Sequence, residues 1–125
     1  MPDLYAASDV ILLPSLYEGL SNAIIEASHS GVPAIVSAAA NADQLVLDRK
    51  TGREVPTDDA ASLADAIAEL SSMSHAERRA LGASAHQHVS SMLDADRSLR
   101  ATLDLYEGLL ARKLPHLAKQ LPCAV

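Results

Sequence analysis

The apolar and polar positions near the start of the chain follow a strand–loop–helix pattern. Residues 10–13, V-I-L-L, form a short unbroken apolar run with β-branched members. Such runs are typical of strands covered on both faces, and hence of parallel sheets. Pro14 ends the run because proline has no N–H to give to a strand ladder. Ser21 can cap the first free amides of a helix. The pattern therefore predicts a buried strand, a polar loop over residues 15–19, and a helix that begins near Ser21 or Asn22.

A second strand is predicted directly after this unit. Gly31 suits the position beyond a helix C-terminus, and Pro33 precedes the apolar residues 34–37. A strand–helix–strand succession favours a right-handed parallel crossover. Residues 38–44 are expected to form a loop and a helix start, with a short helix continuing over residues 45–47. Residues 53–55 are expected to be a third strand at a sheet edge, because two of them are charged.

The second half of the chain shows helical periodicity throughout. Asp58 or Asp59 is expected to cap a helix, Ser74 and Glu77 to form a capping box for the next one, and Gly82 to weaken that helix modestly. A third long helix is expected from about Asp96. The predicted apolar stripes are Leu63, Ile67 and Leu70 in the first helix, Leu81, Ala85 and Val89 in the second, and Leu99, Leu103, Tyr106 and Leu110 in the third. The predicted fold class is α/β, with about three parallel strands flanked by helices over residues 1–113 and a frayed tail over residues 114–125.

The composition and charge of the chain limit which classes of partner and which cellular compartment we expect. The 125 residues carry a net charge of −6 and a pI near 5.2, which argues against general nucleic-acid binding. The single Cys123 allows no internal disulfide and fits a reducing compartment. No apolar run approaches the roughly 20 residues of a membrane span, and the N-terminus lacks a signal-peptide pattern. We therefore expect a cytoplasmic protein, which leaves contact with the inner membrane face open.

Two glutamates are the unexpected residues of the strand–loop–helix unit. Glu18 lies in the loop and Glu26 about one and a half turns into the helix, so their carboxylates could lie about 10 Å apart at a rise of ~1.5 Å per residue. Ligands of open parallel sheets bind at the carboxyl ends of the strands, where this loop is expected. Carboxylates there are poor phosphate ligands but good acceptors for sugar and ribose hydroxyls. The alternative is that Glu18 caps a turn and Glu26 is a solvated helix residue.

Metal binding and nucleophilic catalysis have no comparable pattern. His86 and His88 are two residues apart and point to different sides of a helix, so they make a poor metal pair. His29 is expected to be an ordinary surface residue more often than a ligand contact. Arg49, Lys50 and Arg53 cluster in a turn and are expected to be solvated. No metal site and no bound cofactor are predicted.

The motifs around these glutamates resemble one enzyme family. The stretch P-S-L-Y-E-G-L-S-N-A-I-I-E-A, residues 14–27, resembles the E-x7-E region of retaining glycosyltransferases with the GT-B fold, in the group called family 4. The pattern continues on both sides without a gap, from residue 3 to about residue 110. The matching segments are Y-A-A-S-D-V at residues 5–10, S-G-V-P-A-I-V at 30–36, T-G at 51–52, V-P at 55–56 and L-Y at 105–106.

The resemblance implies a fold and a set of ligand contacts. The chain would be the C-terminal half of a Rossmann-like, nucleotide-sugar-binding GT-B domain. Glu18 would contact the hydroxyls of the donor sugar, and Glu26 those of the ribose. The amides of Gly19, Leu20 and Ser21 would line the sugar end beside the diphosphate, with Asn22 in the same donor-binding set. Chemistry of this type usually needs no metal.

Two departures from the family pattern affect what this chain can do. Ala40, Asn41 and Gln44 stand where the family usually has Gly-Gly followed by Glu, close to the donor. The acceptor domain and the basic residues that usually hold the donor pyrophosphate have no counterpart, so the isolated chain is expected to be inactive. Its expected partners are a nucleotide sugar, a missing N-terminal domain or partner chain, or a second copy through an open sheet edge. The alternatives are a non-catalytic nucleotide-sugar-binding module, a subunit completed by another chain, or a remnant without independent function.

Overall fold

The structure, a computed structural model, describes residues 2–113 and divides into two units. The first unit runs to Met92 and the second begins at Leu93. Cys123 and the tail predicted over residues 114–125 lie outside the described residues. In chain order the elements are helix α1 (Pro2–Ala6), strand β1 (Ile11–Leu13), helix α2 (Asn22–His29), strand β2 (Ala34–Ser37), a 3-10 turn (Ala38–Ala40), strand β3 (Gly52–Val55), and helices α3 (Ala60–Ser72), α4 (His75–Met92) and α5 (Ala95–Lys113).

The three strands form one parallel sheet in the order β1-β2-β3. Ile11 pairs with Ala34, and Ala34 pairs in turn with Gly52. All four residues of β2 are buried, as expected for the central strand of a sheet covered on both faces. The predicted α/β class, with three parallel strands flanked by helices, is confirmed. β3 lies at a sheet edge, as its charges indicated.

The core of the first unit lies on both sides of β2. One cluster joins Ile35 and Val55 to two α3 residues, Ala66 and Leu70, and a second cluster joins Tyr5, Ala27 and Val32. The predicted α3 stripe is partly wrong, because Ile67 is exposed and Ala66 takes its place. Consecutive helix residues are about 100° apart, so only one of these two neighbours can face the sheet. The small side chain of Ala66 allows α3 to pack close to Ile35 and Val55 of the sheet.

Residues 45–47 do not form the short helix that was predicted. The buried Asn41 side chain takes the hydrogen bonds that helical turns would have supplied. Its Oδ1 accepts from Val46 N–H at 2.9 Å, and its Nδ2 donates to the Val46 carbonyl at 2.8 Å. Gln44 has a φ of 54°, in the left-handed region, which interrupts any helix there. The loop can therefore bury Val46 without leaving its backbone N–H and carbonyl unsatisfied.

Gly82 has a larger role than the modest weakening of α4 that was predicted. It is buried where α4 crosses the end of α2, and a Cβ built on it would lie 1.8 Å from the Gly31 carbonyl oxygen. Gly31 itself has a φ of 73° and follows α2 as predicted. Gly82 is therefore a contact position, at which the absence of a side chain sets the distance between two segments.

The predicted helix caps are present. Ser21 accepts from Ile24 N–H at 3.5 Å, and Asp59 accepts from Ser62 N–H at 3.0 Å. In the capping box, Glu77 accepts from Ser74 N–H at 2.7 Å, and Ser74 accepts from Glu77 N–H at 3.3 Å. These interactions satisfy amides that have no partner within the helix. In the second unit, no residue of α5 is buried.

Arg53 is not solvated, contrary to the prediction for its cluster. Only 13% of its side chain is exposed, and it pairs with Asp48 at 2.9 Å and with Glu69. Burial by itself would raise the pKa of Asp48. Hydrogen bonds from Glu54 N–H and Arg53, with the charges of Arg53 and Arg49, hold that pKa below its ordinary value instead. Arg49 and Lys50 are exposed, as predicted for the cluster.

Candidate functional site

The loops that follow the three strands meet at one edge of the sheet. Ser37, the last residue of β2, donates its hydroxyl to the Ser15 carbonyl at 2.5 Å. Ala39 N–H donates to Thr57 Oγ1 at 2.9 Å, which joins the segments after β2 and β3. A small cavity of about 170 Å³ lies at this edge, with Pro14 and Asp59 among its lining residues. This is the carboxyl edge, where open parallel sheets bind ligands.

The loop between β1 and α2 presents much of its surface to solvent. Leu16, Tyr17 and Leu20 are 68%, 85% and 51% exposed. A Cβ built on Gly19 would meet nothing within 4 Å. Exposed apolar side chains around a polar loop are typical of interaction sites. A ligand can therefore reach the backbone of this loop directly.

Glu18 lies in this loop, three residues before Ser21, the N-cap of α2. Its carboxylate is partly buried and accepts a hydrogen bond from the Ser15 hydroxyl at 3.3 Å. Within residues 2–113 it has no ion-pair partner. One carboxylate oxygen is therefore engaged by the protein, and the other remains available as an acceptor.

The N-terminus of α2 provides the amide groups of the site. Ser21 is buried and serves as the N-cap, so its side chain is used in the structure. Asn22, the first helical residue, is exposed, as are Gly19 and Leu20. Helix N-termini carry a partial positive charge and favour anions. Of the predicted residues from Glu18 to Asn22, Gly19, Leu20 and Asn22 are thus exposed, Glu18 is partly buried, and Ser21 is buried.

Glu26 lies further along α2, exposed and next to helix α1. Tyr5 of α1 is 8% exposed and packs against Ala27 and Val32. Burial of the ring raises the pKa of Tyr5, and the charge of Glu26 and its hydrogen bond with the hydroxyl raise it further. Tyr5 was not predicted as a neighbour of Glu26. Its only sequence signal was its place in the segment Y-A-A-S-D-V.

Two histidines of α4 contact backbone carbonyls of other segments, His86 a carbonyl of α2 and His88 one in the loop before β3. His86 Nδ1 lies 3.0 Å from the His29 carbonyl oxygen, and the two imidazole rings meet edge to face at 5.6 Å. His88 Nε2 lies 2.9 Å from the Gln44 carbonyl oxygen. Among the described residues no three His, Cys, Asp or Glu side chains are grouped to hold a metal. Over the same residues no helix is long and apolar enough to cross a membrane.

Asn41 and Gln44, which depart from the family pattern, have structural roles here. The side-chain amide of Asn41 forms hydrogen bonds with the Val46 backbone and with the Glu54 carboxylate. The Gln44 backbone is left-handed and its carbonyl contacts His88. Neither residue brings a free carboxylate to this edge of the sheet.

Comparison with known proteins identifies one family. The family description "Glycosyl transferases group 1" matches residues 1–73. The chain is 27% identical over 124 residues to a D-inositol 3-phosphate glycosyltransferase of Salinispora tropica, covering 99% of this chain and 25% of that protein. It is also 37% identical over 70 residues to a UDP-Gal:alpha-D-GlcNAc-diphosphoundecaprenol alpha-1,3-galactosyltransferase of Escherichia coli. That match covers 56% of this chain and 18% of the galactosyltransferase.

A solved structure agrees with the sequence matches. Sucrose-phosphate synthase from Thermosynechococcus elongatus superposes with a TM-score of 0.80 at 32% identity, over 88% of this chain and 27% of that one. The chain thus spans about a quarter or less of the length of each of these three proteins. The family match includes the whole segment from Tyr5 through Glu18 to Glu26.

Proposed function

Because this chain belongs to the glycosyl transferases group 1 family, we propose that it holds the nucleotide-sugar donor of a retaining glycosyltransferase. The observation that carries the proposal is that two carboxylates flank the start of α2 along the chain: Glu18, partly buried in the preceding loop, and Glu26, exposed on the helix. The loop that carries Glu18 follows β1 at the carboxyl edge of a parallel sheet, the usual ligand edge of such folds. The acceptor and the rest of the active site would come from polypeptide beyond this chain or from a partner.

The proposed contacts follow the chemistry of the donor. Glu18 accepts hydrogen bonds from hydroxyls of the transferred sugar, where a carboxylate is a strong acceptor. The amides of Gly19, Leu20 and Ser21, with the first turn of α2 at Asn22, face the diphosphate. Backbone amides at a helix N-terminus stabilise negative charge, including the charge that develops on a departing diphosphate.

In this proposal the Glu26 carboxylate accepts hydrogen bonds from the ribose hydroxyls of the donor. A carboxylate can accept about four hydrogen bonds, so the contact with the Tyr5 hydroxyl leaves capacity for a ribose diol. Glu26 is exposed, which leaves those positions open to a ligand. Transfer relies on holding donor and acceptor in position, and no metal or bound cofactor is required of these residues.

A second candidate is a nucleotide-sugar-binding module without activity of its own, or a subunit completed by another chain. It is favoured by Asn41, which stands in the donor-side loop where the family usually has glycine and whose amide is engaged by Val46. Both candidates predict donor binding, and the first also predicts transfer once the remaining parts are supplied. With either one, we expect no transfer product from the isolated chain.

Saturation-transfer NMR with UDP-, GDP- and ADP-sugars tests the donor site. We expect Glu18→Ala to abolish saturation of the sugar protons and Glu26→Ala to abolish that of the ribose protons. A hydrogen bond to a charged group is worth roughly 1.5–3 kcal/mol, which is sufficient to eliminate a weak complex. Glu107→Ala, at an exposed glutamate of α5, is the matched control. Unchanged sugar and ribose contacts in both site variants would refute the proposal.

A further inference from the structure

Glu18 stands at the end of a short series of hydrogen bonds that begins in the sheet. Ser37 is the last residue of the central strand, 2% exposed, and paired in register with Val55. Its hydroxyl donates to the Ser15 carbonyl at 2.5 Å. Ser37 and Ser15 are 22 residues apart, so this bond connects the loop after β1 to the buried central strand β2.

The second bond in the series reaches the carboxylate. The Ser15 hydroxyl donates to Glu18 Oε1 at 3.3 Å, somewhat longer than the ~2.5–3.0 Å of a strong O–H···O bond. Contacts of this kind in sites without a ligand are often long and shorten when the ligand binds. The bond restrains a side chain that otherwise has considerable rotamer freedom, and it leaves Oε2 to a ligand.

We propose that Ser15 and Ser37 are positioning residues for Glu18, with Ser37 anchoring the loop and Ser15 orienting the carboxylate toward the donor sugar. This inference rests on the proposed function above. Neither serine needs to touch the donor, because each acts through its neighbour in the series. The competing explanation is that both bonds only stabilise the loop.

The distinguishing ligand pair is a UDP-sugar and UDP, since only the UDP-sugar carries hydroxyls for Glu18. In the unmodified chain, the sugar should strengthen binding relative to UDP. The ratio of UDP-sugar affinity to UDP affinity measures this sugar-dependent gain. We expect Ser15→Ala to reduce the ratio by about tenfold, which corresponds to the loss of roughly one hydrogen bond to a charged group. The affinity for UDP itself should stay within about twofold. Ser37→Ala should act in the same direction. Ser15→Thr retains the hydroxyl and should restore the gain.

A readout without ligand accompanies the binding data. Side-chain couplings of Glu18 in isotopically labelled protein should show one dominant rotamer in the unmodified chain and averaging in Ser15→Ala. Ser30→Ala removes an exposed hydroxyl that bonds to the Glu26 carbonyl and is the matched control. We expect no change in Glu18 couplings or in the sugar-dependent gain for this control.

The possible results separate this inference from the proposed function. Equal weakening of UDP and UDP-sugar binding by Ser15→Ala would show a purely structural role and overturn the inference. So would Glu18 couplings that are averaged in the unmodified chain. A lost sugar gain in Glu18→Gln with a retained gain in Ser15→Ala would overturn the inference alone. An unchanged gain in Glu18→Gln would refute the proposed donor contact and this inference together.

Discussion

Gly82→Ala tests whether the approach of α4 to the end of α2 is as close as the structure shows. In an open helix, replacing glycine by alanine stabilises a protein by roughly 0.5–1 kcal/mol. Here the new Cβ would lie 1.8 Å from the oxygen and 2.6 Å from the carbon of the Gly31 carbonyl. Cβ atoms essentially never lie within 3.0 Å of a non-bonded heavy atom, so the segments must separate by at least ~1.2 Å, the difference between 3.0 and 1.8 Å.

The expected loss in the free energy of unfolding depends on which atoms must move to relieve the clash. The clash is with backbone, which cannot rotate away as a flexible side chain could, so we take the upper part of the ~1–3 kcal/mol range for overpacking. Subtracting the propensity gain leaves a net loss of about 2 kcal/mol, a large fraction of a typical stability of about 5–15 kcal/mol. The corresponding fall in Tm is roughly 8–16 °C for a unit of this size.

Urea unfolding followed by far-UV circular dichroism measures the change. Ser84→Ala is the matched control, because Ser84 is exposed in the same helix and its hydroxyl donates to the Ala80 carbonyl within α4. The control should change the free energy of unfolding by less than about 0.5 kcal/mol. If Gly82→Ala were as stable as the unmodified chain, or more so, the inferred close packing would be wrong.

Three further predictions concern the loop, pH and association. Asn41→Ala should lower the free energy of unfolding by about 2–4 kcal/mol, because the buried Val46 N–H and carbonyl lose their partners; urea unfolding should show this, and a loss below 0.5 kcal/mol, comparable to that of exposed Asp43→Ala, would contradict it. The lowered pKa of Asp48 means that its stabilising contribution is complete above the ordinary value of 3.8 and is lost as pH falls through the lower folded value. The stability gap to Asp48→Asn should therefore shrink below about pH 3.8 in a urea series, whereas a gap constant down to pH 2 would contradict this. Within the described residues β1 pairs only with β2, so its open edge should drive dimerisation or aggregation of the isolated chain; sedimentation at micromolar concentration showing a stable monomer, with slow amide exchange across β1, would refute that expectation.

Local sequence patterns were sufficient for most of the fold. The strands around residues 11–13 and 34–37 were predictable from apolar runs bounded by proline. The prediction that the first of them is buried on both faces was wrong within the described residues, because Leu12 of β1 is 46% exposed. The caps at Ser21, Asp59 and Ser74 were predictable because each involves residues within three positions along the chain. Glu18 and Glu26 were found through a resemblance that extends over most of the chain, and their ligand contacts stay predictions.

Three of the incorrect predictions concerned contacts between residues far apart in the chain or a choice between adjacent positions. Ile67 and Ala66 are both apolar, and only the packing of α3 against the sheet shows that the smaller one is buried. Arg53 could not be recognised as buried because its partner Glu69 lies on another element. The role of Gly82 depends on the Gly31 carbonyl, 51 residues earlier, which no helix propensity includes.

Periodicity and capping residues in the sequence determined which segments are strands and helices, because those choices depend on near neighbours. The tertiary structure alone decided how the candidate site is supported. Ser37 reaches Ser15 across 22 residues, and the Tyr5 ring places its hydroxyl beside Glu26 on another helix. These contacts depend on the distance and orientation between packed elements, and both are set by side-chain packing in three dimensions.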